Sequence, residues 1–94
     1  MQNDSRKASA ADTGRFKDLL DGQNDWPTSF MFKFIVPKDQ LAALEEILEG
    51  YDLEMRQSRN GNYFSVTLAP IMESSDDVIR LYGRASTIKG IVSL

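Results

Sequence analysis

The sequence predicts an α+β domain whose elements run β-α-β-β-α-β, and three observations carry that expectation. Ser29 to Val36 and Asn62 to Ala69 alternate large apolar residues with others at the period of a half-buried strand. Lys38 to Glu49 and the run after Ser74 space their apolar residues at i, i+3 and i+4, as a helix covering one face of a sheet must. Asn60-Gly61 separates two alternating runs and is the dipeptide best suited to a tight hairpin turn.

Met1 to Thr13 is rich in Ser, Ala, Asp and Asn and holds no large apolar residue after Met1. Such a segment buries too little surface to offset its ordering entropy, so residues 1–14 are expected to be a disordered tail and 15–94 a single domain. Arg15 to Gly22 fits a short helical segment: Phe16, Leu19 and Leu20 share a face, and Gly22 stands where a helix would stop. Trp26-Pro27-Thr28 is a break, because Pro27 has no amide hydrogen and pushes Trp26 toward extended geometry.

In the first strand Phe30, Phe32, Phe34 and Val36 fall on one face, and Met31, Lys33 and Ile35 on the other. The phenylalanine side is the expected core side. The first helix, Lys38 to Glu49, brings Leu41, Leu44, Ile47 and Leu48 to that core and stops at Gly50. The second strand, Asp52 to Arg59, turns Leu53 and Met55 inward and Asp52, Glu54, Arg56 and Ser58 outward, a charge density suited to a sheet edge. Asn60 and Gly61 then supply the positive φ values of a type I′ turn. In the third strand Phe64, Val66 and Leu68 oppose Tyr63, Ser65 and Thr67, and Pro70 ends the pairing. Ser74 to Asp77 caps a second helix that carries Val78, Leu81, Tyr82 and Ala85 inward to about Ser86. A fourth strand, Ile88 to Leu94, sets Ile88, Val92 and Leu94 on one face and Lys89, Ile91 and Ser93 on the other. These elements assemble as a ferredoxin-like sandwich, a four-stranded antiparallel sheet of order 4-1-3-2 with both helices on one face. The opposite face is left to solvent or a partner.

Composition narrows the function. At 94 residues and 41% hydrophobic content the chain builds one modest core, with no room for a large enclosed active site. A net charge of −3 attracts phosphate backbones and anionic membranes only weakly. Cysteine and histidine are both absent, which removes disulfides, thiolate nucleophiles, iron-sulfur clusters and the usual zinc ligand sets. No catalytic residue, metal site or cofactor is expected. No apolar run approaches the roughly 18 residues of a membrane span, and Arg6-Lys7 precedes no signal-type stretch, so a cytoplasmic protein is expected.

Two surfaces remain as candidates. Arg59, Asn62 and Tyr63 around the hairpin offer donors for a small anion or another small-molecule effector. An acylphosphatase, which shares this general fold, holds phosphate with an arginine in a Gly-rich loop before the first helix. Val36-Pro37-Lys38-Asp39 stands in that place, so the hydrolase reading loses its main support. RNA-binding modules of the same topology stack bases on aromatics of the open sheet face. Here Tyr63 is the one aromatic there and Ser65 stands where a second ring is wanted. The second surface is apolar: Met31, Ile35 and Ile91 on the open face, beside an edge strand protected by Lys89. An uncovered apolar patch of this kind marks an association surface, and a homodimer formed through strand four or that sheet face, or another protein partner, is the economical occupant. The alternative is that Phe16, Leu19 and Leu20, or Trp26, fold back over it.

Several of these residues also carry a resemblance. Trp26-Pro27-Thr28 leading into Phe30, the run Arg56 to Leu68 with Gly61-Asn62-Tyr63 and Ser65-Val66-Thr67, and Leu81-Tyr82 resemble the YbeD-like family of small uncharacterised bacterial proteins, over about residues 16 to 94. The resemblance implies a ferredoxin-like domain similar to the ACT regulatory domains of amino-acid metabolic enzymes, with no established activity. It therefore points to a non-catalytic regulatory or protein-interaction module. Many ACT domains bind their ligand beside a glycine between the first strand and first helix, and this chain has none there.

Overall fold

The computed structural model describes the backbone of residues 4–94 and side chains from Thr13 onward. In chain order the elements are α1 (Asp4–Gln23), β1 (Thr28–Ser29), β2 (Phe32–Pro37), a 3₁₀ turn (Lys38–Gln40), α2 (Leu41–Ile47), β3 (Glu54–Gln57), β4 (Tyr63–Leu68), β5 (Ile71–Met72), α3 (Ser75–Ala85) and β6 (Val92–Ser93). The strands form two antiparallel sheets, one of four strands in the order β3-β4-β2-β6 and one joining β1 to β5.

Alternation along β2 decides where the core lies. Phe32, Phe34 and Val36 are fully buried, and Val66 and Leu68 of β4 share their side of the sheet. Against them pack Leu44 and Leu48 from the first helical region and Val78, Leu81 and Ala85 from α3. Tyr82 closes an aromatic group, its ring 5.0 Å from Phe32 and 6.0 Å from Phe34. Burial raises the pKa of its phenol.

The helix expected from Arg15 to Gly22 is the latter part of α1, which begins at Asp4. Residues 1–3 of the expected tail lie outside the described residues. Between Asp4 and Gly14 the sequence offers nothing apolar larger than alanine to bury. Farther on, Phe16 stands 5.8 Å from Tyr82 and Leu20 is buried, so tertiary packing fixes the end of the helix.

Four local expectations need correction. The first strand is broken at Phe30-Met31: Phe30 N–H donates to Pro70 O at 3.0 Å, and the ladder resumes beyond as β1 with β5. Pro70, with no amide hydrogen, interrupts the opposite strand at the same level. The hairpin is no type I′ turn, because the described residues with positive φ are all glycines and Gly61 supplies the value here, +81°. Asn60 stays at negative φ and uses its side chain instead. Its Oδ1 accepts from Ser58 Oγ at 2.9 Å and from Asn62 N–H at 3.1 Å, closing a longer loop. Met55 pairs with Val66 and so faces the helix side, yet on the edge strand β3 it is 43% exposed.

The fourth strand is shorter and its faces are reversed. β6 spans Val92–Ser93, with Val92 opposite Ile35 and Ser93 opposite Phe34. Val92 therefore lies on the open face, and Ile91 turns to pack against the core. A strand shifted by one residue exchanges all its side chains between faces. Gly90 makes that shift, at φ +78°, and a Cβ there would stand 2.9 Å from Pro37 Cγ.

Candidate functional site

The face of the four-stranded sheet turned away from α2 and α3 is built in rungs. Glu54, Thr67 and Lys33 form one, from β3 through β4 to β2. Leu94 extends it, donating its N–H to Lys33 O at 2.9 Å. Arg56, Ser65, Ile35 and Val92 form the next, and Tyr63 pairs with Pro37 beyond. Met31 is 65% exposed, Val92 50% and Leu94 67%, while Ile35 is half-buried. The N-terminal apolar residues do not cover them: Phe16 lies on Tyr82, and the ring of Trp26 stands 6.4 Å from Phe30 on the helix side.

Of the four residues expected on this surface, Met31 and Ile35 stand there. Ile91 has turned to the core, and Lys89 is exposed in the turn before Gly90 rather than on the edge strand. Val92 and Leu94 take their place. The signal that reassigns them is Gly90, a break in what otherwise reads as continuous alternation.

The small central residues of β4 leave hollows between longer neighbours. One of about 260 Å³ is lined by Met31, Lys33, Glu54, Arg56, Ser65 and Thr67. Another of about 130 Å³ adjoins it, with Ile35, Arg56, Tyr63 and Ser65 in its walls. Of the expected ligand group Arg59, Asn62 and Tyr63, only Tyr63 lines these hollows. Arg59 and Asn62 are exposed on the loop, where the Asn62 carbonyl accepts from Lys38 N–H at 2.9 Å. The arginine on the sheet face is Arg56. Ser65 and Thr67 at alternate positions of a central strand, flanked by long side chains, are the pattern that marks it.

Elsewhere the polar groups serve the fold. Lys17 Nζ donates to the buried Ser75 Oγ at 2.9 Å and stands 3.1 Å from Asp76, tying α1 to the start of α3. The Asp76 hydrogen bond raises the Lys17 pKa. A hydrogen bond from Ser75, with a second from Trp26 Nε1 at 3.0 Å, holds Asp21 below the ordinary carboxylate range. Ser74 caps α3, its Oγ accepting from Asp77 N–H at 3.2 Å. A hollow of about 190 Å³ beside Tyr51 holds Arg80 and Arg84, but both are engaged. Arg80 pairs with Asp77 at 2.6 Å, and Arg84 donates to Ile47 O at 2.8 Å. Among the described residues no helix is long and apolar enough to cross a membrane.

Residues 21–93 match the model of a family described as a protein of unknown function, DUF493, and the chain belongs to that family. No curated protein and no solved structure matches it. The anchors Phe16, Lys17 and Leu20 of α1 lie ahead of the matched span.

Proposed function

We propose that this DUF493 member is a small non-catalytic module that regulates or assembles by contact with protein, its working surface the open face of the four-stranded sheet and its first partner a second copy of itself. One observation carries the reading: Met31, Val92 and Leu94 stand exposed around Ile35 on a face no other segment of the described chain covers. Scattered apolar side chains are ordinary on a surface, but a contiguous group on one sheet face calls for an occupant.

The sheet order β3-β4-β2-β6, with α2 and α3 on one side, supports a ferredoxin-like reading. The resemblance to the YbeD-like family extends it to an ACT-like regulatory domain, by analogy of fold. Association through the face is favoured over association through the edge. β6 is two residues long and offers another strand too few free backbone groups for a stable ladder.

Magnitude fixes the kind of dimer. Strands of four, six, six and two residues, about 4.8 Å apart at about 3.3 Å per residue, present about 290 Å². That is about a third of the roughly 800 Å² per partner of a standard interface, so association is weak and concentration-dependent. Amide chemical shifts recorded from low to high micromolar protein test it. Concerted movement at Lys33, Ile35, Ser65, Thr67 and Val92 is expected; spectra unchanged over that range would defeat the self-association.

A further inference from the structure

The open face also has a polar half. On β4 the residues turned to it are Ser65 and Thr67, while β2 and β3 place Lys33, Ile35, Glu54 and Arg56 on either side. The hollows of about 260 and 130 Å³ share Arg56 and Ser65. Together they make one trough along β4, with the hydroxyls as floor and the longer side chains as walls. Glu54 and Lys33 flank Thr67 on one rung and Arg56 and Ile35 flank Ser65 on the next, so Lys33 and Arg56 stand diagonally across the two hydroxyls. The apolar end lies beyond, where Ile35 meets the ring of Tyr63.

Among the described residues, the side chains of Lys33, Arg56, Ser65 and Thr67 make no hydrogen bond or ion pair, whereas Lys17, Arg80 and Arg84 are all engaged. Two cations against the single carboxylate of Glu54 give this trough a positive bias in a chain of net charge −3. We infer that the trough binds a small amphipathic organic anion, its acidic head between Lys33 and Arg56 over the two hydroxyls and its ring or short apolar chain against Ile35 and Tyr63. A guanidinium presents paired donors that match the oxygens of a carboxylate, sulfonate or phosphate. The combined space lies near the lower limit of small-ligand sites, which favours a compact acid over a dinucleotide. An inorganic anion alone would leave the apolar end unfilled.

The site deepens the open-face reading by giving its polar half a ligand, and it uses neither Val92 nor Leu94. The fluorescent sulfonate 8-anilinonaphthalene-1-sulfonate is a suitable probe, titrated into the full chain at low micromolar protein with amide shifts recorded in parallel. Saturable binding is expected to move the amides of Tyr63, Ser65 and Thr67. Arg56→Ala should weaken it by about tenfold, a change of the size expected for losing one charge-assisted contact, and Arg59→Ala should leave it unchanged. The uncharged analogue N-phenyl-1-naphthylamine should bind more weakly than the sulfonate. The site is overturned if the shifts gather instead around Phe16 and Leu19, if Arg56→Ala binds as wild type does, or if the neutral analogue binds equally well. A monomer that passes this titration keeps the site and loses only the self-association; a dimer that fails it does the reverse.

Discussion

The two faces of the four-stranded sheet are made from the same strands by the same alternation, yet they have opposite fates. On one, Phe32, Phe34, Val36, Val66 and Leu68 vanish under α2 and α3. On the other, Lys33 and Arg56 share the surface with Met31, Ile35 and Val92. Burial of the first face drives folding. The second contributes little to that burial, so its apolar side chains answer to contacts beyond the monomer.

The largest expected difference between the faces is in stability. Phe34→Ala removes a fully buried ring and is expected to cost about 3–5 kcal/mol in urea denaturation, while Met31→Ser, on an exposed side chain, should stay within about 0.5 kcal/mol. Equal losses would break the contrast. Gly90→Ala tests what assigns Val92 to the open face. A Cβ there meets Pro37 Cγ at 2.9 Å from a φ of +78°, and a loss of about 1 kcal/mol or more is expected in the same assay. A neutral outcome would mean that the turn before β6 is not constrained as described.

Smaller effects belong to the helix side. Ser74→Ala deletes the cap of α3 and should cost about 1 kcal/mol in thermal unfolding. The docking of α1 should depend on pH at both extremes. Asp21 has a folded pKa below its ordinary 3.8, so its contribution is complete above that value and lost as pH falls through the lower folded one. Lys17 is raised above 10.5, so its contribution is complete below that value and lost as pH rises through the higher folded one. Fluorescence of the single tryptophan, whose indole N–H binds Asp21, reports the acid limb. Asp21→Asn should flatten that limb, and an unchanged titration would remove Asp21 from it.

The buried face was legible in the sequence because its signal is local: Phe32, Phe34 and Val36 announce their side by spacing alone. What escaped depended on single backbone geometries or distant partners. Gly90 reverses the faces of the last strand, and Asn60 trades a positive φ for a side-chain loop closure. The face shared by Phe16 and Leu20 could be read from spacing, but Tyr82, far along the chain, could not be identified as a partner. At the candidate site Met31 and Ile35 were readable. Val92, Leu94 and the trough around Arg56 were not, because they depend on register across four strands.

Sedimentation velocity of wild type beside a Val92→Lys, Leu94→Lys variant tests most directly whether the open face is a self-association surface. The sedimentation coefficient of wild type is expected to rise with concentration, and the variant is expected to stay monomeric with an unchanged melting temperature. A wild type that remains monomeric, or a variant that associates as strongly as wild type, would contradict self-association through this face.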